Sequence, residues 1–457
     1  MLKYGGGIGM SEIWSGLPNR YKKQYRKSLV ILLVGAVCAL IGFGYRMLAT
    51  RVPDRIILIA NREENFDFDL PLEAEVHLGE ASQAGTFFFN NQKLTQDELH
   101  INLNDSFSVQ GSEIGSYSVV VRLFGRFTMK QSVLDVIESV DVIPLGVPIG
   151  IIAKTEGVLV LGTGNLTDAA GNAYEPDAVV KTGDYITAVG QKAVNGKEEL
   201  IAQIQACESK EAELTVRRGE ECLTVKLPVV ETASGDKKIG IWVRDDTQGI
   251  GTLTYITSDG RFGALGHGIT DVDTGVLMEF EEGTIYTAEI TSIIKGKSGE
   301  PGELSGVIHQ GERARLGTME KNTSQGIYGA LTAEPELFQR MFAIEELKPY
   351  EIGFRNQAKE GAATILCTVD GQPKEYAIEI EKIKANVESV SKSLVIRITD
   401  ENLLALTGGI VQGLSGSPII QDGKLIGAVT HVLVNDPTRG YGIFIENMLD
   451  VQDEKNK

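Results

Sequence analysis

The stretch Gly413–Val434 reads GLSGSPIIQDGKLIGAVTHVLV and shows the pattern that decides the fold of the C-terminal half. In it, short apolar runs alternate with turn residues. Similar runs recur from about residue 231 onward, among them GTLTYIT, GRFGALG and GYGIFI. Runs of this length between Gly, Asn and Asp residues predict strands. About 220 residues of such pattern suit a sandwich or two small packed barrels, so we predict that residues 231–450 are mainly β.

The composition describes a folded protein with an acidic surface. The chain has 457 residues, 42% of them apolar and 23% charged, so two or three domains are expected. Its 52 glycines favour many tight turns and hence β structure. The formal charge of −18 repels phosphate backbones, which argues against a nucleic acid partner.

A membrane helix is predicted near the N-terminus. Residues 29–45, LVILLVGAVCALIGFGY, carry no charge and follow a basic segment. Basic residues before an apolar run mark the cytoplasmic side, so we predict residues 1–28 inside, an anchor at 29–45 and the remainder extracytoplasmic. A cleaved signal peptide is the competing interpretation.

Two modules are predicted between this helix and residue 231. Residues 54–140 show recurrent short β runs, such as RIILIA and SYSVVVRLFGRF, and no evident chemistry, which is typical of a spacer or partner surface. Residues 141–230 combine strands, a helix at KEELIAQIQAC and a hairpin turning at Arg218–Glu220. This second module resembles a PDZ domain. The resemblance implies a loop that receives a peptide C-terminus, and we predict that it is formed by Leu145, Gly146, Val147 and Ile149.

The cysteines do not predict a metal site or a disulfide framework. One lies in the apolar run, and the spacings of the other three match no zinc pattern, so no metal and no cofactor are expected. A bridge between Cys207 and Cys222 is the less favoured alternative to free thiols. Cys367 lacks the helix N-terminus that activates a nucleophilic thiol.

The motif GLSGSPII predicts a nucleophile at Ser415. Glycines at 413 and 416 allow a turn that exposes the Ser415 hydroxyl and aims the amides of Gly413 and Ser415 at one point. Donors fixed there stabilise a developing oxyanion by about 2.7–4 kcal/mol each. The alternative is an ordinary Gly-Ser turn.

A serine nucleophile needs a base and a group that orients it. Of five histidines, His267 lies between two glycines and is the predicted base, whereas His431 is the alternative. Three acids are open as the orienting group: Asp400, which also suits a helix N-cap, and Asp271 and Asp273, which also suit local turns.

The anchor, the PDZ-like module, FGALGHGITD and the last fifty residues together resemble the stage IV sporulation protein B family of serine peptidases. The resemblance implies a chymotrypsin-like double β-barrel with His267, Asp400 and Ser415 as the triad. It further implies a sporulation signalling protease between two membranes of a developing spore. Such a protease cleaves itself and then a membrane-bound inhibitor of an intramembrane protease, and this activates a sigma factor.

A hypothesis from another class is a non-catalytic, membrane-tethered scaffold. Its PDZ and β modules would bind membrane partners, and the serine motif would be a turn only. The scaffold tolerates Ser415→Ala, whereas the enzyme does not.

Overall fold

The computed structural model describes residues 18–77, 86–93, 98–174, 179–333, 338–339, 347–384 and 389–453. The chain divides into two compact units, Met1–Glu138 and Ser139–Lys457. Residues 1–17 of the predicted basic segment lie outside the described residues.

The first unit begins with a long apolar helix, α1, Asn19–Arg51. Pro18 precedes the helix, and Val52, which is followed by Pro53, is extended. Proline disfavours helical backbone in the residue before it, which explains this end. The helix contains the predicted run 29–45, and its apolar side chains are exposed. Among the described residues it alone is long and apolar enough to cross a membrane, a test that a signal sequence also passes.

The rest of the first unit is a β module of two sheets. Its strands are β1 Arg55–Ile59, β2 Glu64–Phe66, β3 Leu72–His77, β4 Phe87–Phe89, β5 Gln92–Lys93, β6 Glu98–Asn102, β7 Phe107–Gly111, β8 Gly115–Leu123 and β9 Phe127–Ile137. The sheet orders are β1-β9-β8-β3-β6 and β2-β7-β4-β5. Their apolar residues, including Leu58, Phe87 and Val121, share one core.

The second unit holds the other strands and helices. The strands are β10 Asp141–Thr163, β11 Leu166–Thr167, β12 Ala173–Tyr174, β13 Tyr185–Val189, β14 Lys192–Ala193, β15 Glu211–Arg218, β16 Glu221–Pro228, β17 Val230–Glu231, β18 Lys237–Lys238, β19 Ile241–Thr257, β20 Arg261–Ala264, β21 Phe280–Ile294, β22 Glu303–Ile308, β23 Arg315–Thr323, β24 Gly326–Leu331, β25 Tyr350–Glu351, β26 Gly361–Thr368, β27 Pro373–Ile383, β28 Leu394–Ile398, β29 Pro418–Gln421, β30 Lys424–Val432 and β31 Arg439–Phe444. The helices are α2 Lys197–Gln205, α3 Glu401–Thr407, α4 Ile445–Asp453 and a 3₁₀ turn at Val390–Lys392.

Two barrels make up most of this unit. In the first barrel, β10, β19, β20, β24, β23 and β21 pair in that order, and β21 pairs back to β10, which closes the ring. In the second barrel, β26, β27, β28, β31, β30 and β29 close in the same way. Each barrel has its own apolar core. The fold is therefore mainly β with a double barrel, which confirms the predicted class.

A small α+β module is inserted between the first two strands of the first barrel. It contains β11–β18 and helix α2, and its core includes Val158, Leu200 and Leu214. The predicted hairpin is present as β15 and β16, and the predicted helix is α2. Strands β10 and β19 run on from the barrel into this module, so the two share continuous strands.

The predicted peptide-binding loop is part of the barrel instead. Leu145, Val147 and Ile149 lie in β10 with side chains buried in the core of the first barrel. Ile149 pairs with Gly251 of β19 on one edge and with Thr287 of β21 on the other. The Gly146 carbonyl accepts a hydrogen bond from Thr368 Oγ1 of the second barrel at 3.0 Å. Because Ile149 is paired on both edges and the side chains of Leu145, Val147 and Ile149 fill the barrel core, the structure differs from the predicted peptide-binding loop here.

Candidate active site

Ser415 lies in a tight turn just before β29. Gly413 and Gly416 have φ values of 97° and 98°, a region that favours glycine. A Cβ at Gly413 would lie 3.0 Å from the Leu304 side chain. The turn therefore requires glycine at both positions. Ser417 is fully buried and donates its hydroxyl to the Leu414 carbonyl, so it has a structural role.

The serine hydroxyl of this turn has a hydrogen-bond partner, whereas two of its backbone amides have none within the described part of the chain. Ser415 Oγ donates a hydrogen bond to the Thr430 carbonyl oxygen at 2.5 Å. The N–H groups of Gly413 and Ser415 have no acceptor among the described residues, although their neighbours are bonded. Unpartnered amides on either side of a serine hydroxyl are what an oxyanion site requires.

His267 follows β20 in a turn that is packed rather than open. Leu265 and Gly266 both have φ of 70°, and Leu265 is buried in spite of this strained backbone. A Cβ at Gly268 would lie 2.5 Å from the Thr323 carbonyl oxygen. The flanking glycines therefore permit close packing and hold the histidine in place.

The histidine turn and the serine turn contact each other. A Cβ at Gly416 would lie 2.7 Å from the Leu265 nitrogen, and one at Gly266 would lie 3.0 Å from the Thr430 side chain. Thr430 is the residue whose carbonyl accepts the Ser415 hydroxyl. The turns that carry the two predicted catalytic residues thus meet at the junction of the two barrels.

The ring of His431 lies close to the ring of His267. The ring centroids are 4.9 Å apart. His267 Nδ1 lies 2.9 Å from the Gly268 carbonyl, and His431 Nδ1 is buried and has no hydrogen-bond partner among the described residues. An Nδ1–H bond to this carbonyl leaves Nε2 of His267 unprotonated, as a general base requires.

Both histidines are neutral at physiological pH. Burial lowers the pKa of His267, and the Gly268 carbonyl opposes this shift more weakly. Burial, His267 and Lys392 lower the pKa of His431 to about 4. Within the described part of the chain, no carboxylate contributes to the pKa of His267.

The three candidate acids are bonded elsewhere. Asp400 caps α3, where its side chain accepts the N–H groups of Asn402 and Leu403 at 2.9 and 3.0 Å. Asp271 and Asp273 both pair with Arg244. The structure therefore places Asp400 in the N-cap role that its sequence also suited, and it does not bring Asp400 to His267.

Two residues that sequence reasoning missed support the site. Asn322 Oδ1 accepts the Ile269 N–H at 2.8 Å, and its Nδ2 donates to the carbonyls of Ile269 and Met278, which fixes the chain after His267. Thr252 of β19 bonds the serine turn. Neither residue stands in a motif, and both act across more than forty residues of sequence.

The described residues contain no group of three or more metal-binding side chains. All four cysteines are free thiols. Cys367 is buried, and burial raises the pKa of its thiol far above the usual value, which suppresses the thiolate that a cysteine peptidase needs.

One family model and several solved structures match parts of the chain. Residues 235–449 match the family model of the SpoIVB peptidase, S55. Among solved structures, the Rv3671c protease from M. tuberculosis in its active form is 17% identical, with a TM-score of 0.24; the match covers 46% of this chain and 74% of that one. The PDZ domain of the SdrC-like protein Lmo2051 from Listeria monocytogenes is 21% identical, with a TM-score of 0.16, and covers 19% and 87%.

No curated protein matches the chain significantly. The matched family segment contains β19–β31 but not β10, the strand that closes the first barrel before the inserted module. Over residues 235–449 the chain matches the SpoIVB peptidase S55 family model, and it is a serine endopeptidase.

Proposed function

We propose that Ser415 is the nucleophile, His267 the general base, and the amides of Gly413 and Ser415 the oxyanion donors. The observation that carries this assignment is the contact between the histidine and serine turns beside two unpartnered amides. Ser415 adds to the peptide carbonyl while its proton passes to His267 Nε2. The protonated imidazole then donates this proton to the leaving amine.

The resting site needs one rearrangement before it reacts. The Ser415 hydroxyl donates to the Thr430 carbonyl, so its proton is held by that oxygen and not by the imidazole. Rotation about one side-chain bond redirects it. A substrate N–H that bonds to the Thr430 carbonyl would displace the serine from it, and this would couple substrate binding to activation.

For the cellular role, we propose a membrane-tethered, extracytoplasmic protease that cleaves itself and then a membrane-bound regulatory protein in sporulation signalling. The apolar helix α1 and the SpoIVB family name support this proposal. The substrates are proteins, and self-cleavage would release the peptidase from its anchor.

The test is to label the purified full chain with a biotinylated fluorophosphonate and to map the labelled peptide. We expect one labelled residue, Ser415, because the reagent phosphonylates only a serine activated by a base. Label at another serine would overturn the assignment, and a folded protein that takes no label would favour the scaffold hypothesis.

The inserted module has a free strand edge on which a peptide can add. Residues 241–244 of β19 pair with β10 on one edge, and no described strand pairs with the other. Helix α2 lies beside this segment, because the Lys197 N–H donates to Asp245 Oδ2 at 2.7 Å and Ile239 shares a core with Leu200. We place the peptide between α2 and this edge. Its carboxylate would sit at the turn around Gly240, where φ is 70°.

Replacing Gly240 by alanine is expected to weaken peptide binding at least about tenfold, since a Cβ strains this left-handed turn. Fluorescence anisotropy with octapeptides ending in valine, as free acids and as amides, measures the effect. Gly190→Ala is the matched control, since Gly190 has φ of 59° in the same module and open space around it. Equal binding of acids and amides would contradict the proposed groove.

A further inference from the structure

Thr252 lies between the two turns of the proposed active site. It belongs to β19 of the first barrel and is 3% exposed. Its Oγ1 donates to the Gly413 carbonyl at 2.7 Å, and its N–H donates to the Ser415 carbonyl at 3.1 Å. Its own carbonyl accepts the Leu265 N–H at 3.2 Å, two residues before His267. One residue therefore bonds the segments of both proposed catalytic groups.

These bonds fix the peptide planes of the serine turn. The N–H of Gly413 shares a plane with the Gln412 carbonyl, which accepts the Leu304 N–H at 2.8 Å. The N–H of Ser415 shares a plane with the Leu414 carbonyl, which accepts the Ser417 hydroxyl at 2.7 Å. The next peptide plane after each of these contains the Gly413 carbonyl and the Ser415 carbonyl, respectively. Thr252 donates a hydrogen bond to both of these carbonyls. Thr252 thus holds the relative orientation of the two amides.

We infer that Thr252 is a positioning residue whose hydroxyl, by binding the Gly413 carbonyl, sets the orientation of the Gly413 amide relative to the Ser415 amide at the oxyanion. The inference rests on the proposed function of these amides. The donors act only if they point at the place where charge develops, and a misplacement of about 1 Å costs about 100-fold in rate. Thr252 touches no reacting atom, so it acts through the turn.

Strand β19 offers a matched control two residues further on. Thr254 is fully buried, and its Oγ1 has no hydrogen-bond partner among the described residues. Thr252→Val and Thr254→Val remove the same hydroxyl from the same strand. Only the first of these hydroxyls binds the serine turn.

The experiment measures the rate constant of fluorophosphonate labelling of the full chain, together with its melting temperature and the pH profile of labelling. We expect Thr252→Val to label about 10- to 100-fold more slowly, while Thr252→Ser returns to within about threefold of the parent. Thr254→Val should label like the parent. The acid limb of the pH profile should keep its position in Thr252→Val, because the base is unchanged.

Parent-rate labelling of Thr252→Val, or slow labelling of Thr252→Ser, would overturn the role of the hydroxyl. Thr252→Ala is measured beside Thr252→Val, so that a valine variant that fails to fold leaves a second hydroxyl-free protein to decide. Ser415→Ala distinguishes a failure of the proposed nucleophile from a failure of the Thr252 role. Labelling of Ser415→Ala would overturn Ser415 as the nucleophile. If Ser415→Ala takes no label and Thr252→Val labels at the parent rate, only the positioning role of Thr252 is overturned.

Discussion

Ser415→Ala is expected to stop self-cleavage of the full chain and to lower the rate on any peptide by at least about 10⁴-fold. The covalent pathway needs the Ser415 oxygen, and the neighbouring Ser417 cannot replace it because its buried hydroxyl bonds the Leu414 carbonyl. The measurement is expression of the parent and the variant side by side, followed over time by gel electrophoresis.

Ser258→Ala is the control for this change, since Ser258 is an exposed turn residue between β19 and β20. It should fragment like the parent. Identical fragments from Ser415→Ala and the parent would mean that another protease cuts the chain. Mixing the intact variant with active parent then tells whether cleavage occurs within one molecule or between two.

The strand content and the serine turn could be predicted because their signals are local. A glycine pair with φ near 97° around Ser415 follows from steric rules that act within four residues. The hairpin of β15 and β16 and the helix α2 likewise depend on nearby turn and periodic signals. The sequence suited Asp400 both as the orienting acid and as a helix N-cap. In the folded chain its side chain bonds the first turn of α3 and is the N-cap.

The peptide-binding loop was misplaced because the inserted module interrupts a barrel strand pair. The apolar segment Leu145–Ile149 fits a buried strand as well as a loop entering a PDZ-like sheet. Only the pairing of β10 with β19 and β21, about 100 to 140 residues away, distinguishes them. The segment Ile239-Gly240-Ile241 carries the local signal that could have been used, a glycine between two apolar residues before a strand. Thr252 and Asn322 could not be found from the sequence, because single polar residues in strands gain meaning only from distant partners.

His267→Gln is expected to reduce fluorophosphonate labelling by about 10⁴-fold or more, whereas His431→Gln should stay within about tenfold of the parent. Both changes replace a half-buried ring by a neutral amide of similar reach. His267 Nδ1 contacts the Gly268 carbonyl, which leaves its other nitrogen to accept the serine proton. His431 lies beside His267, its Nδ1 has no partner among the described residues, and it is not the proposed base. The reverse ranking of the two variants would make His431 the base.

The pH dependence of fluorophosphonate labelling tests independently which histidine is the base. A base acts when neutral, and burial lowers the pKa of His267 below its ordinary value of 6.5. Labelling by the parent should therefore hold steady from neutral pH down to about 6.5 and fall only below it. In His431→Gln the acid limb should keep its position, since the titrating group remains. A limb that moves in His431→Gln would show that His431 titrates in the reaction.

The free energy of unfolding should also depend on pH, through the titration of His431. The folded pKa of His431 is about 4, against 6.5 for an ordinary histidine, so between these values the unfolded chain binds more protons. The free energy of unfolding must therefore fall as the pH falls from about 6.5 to about 4. In His431→Gln this part of the loss should disappear, and denaturant unfolding at pH 7 and pH 5 measures the difference. If the parent and the variant lose equal stability between these pH values, His431 is not held neutral in the folded protein, and its burial beside His267 is not as described.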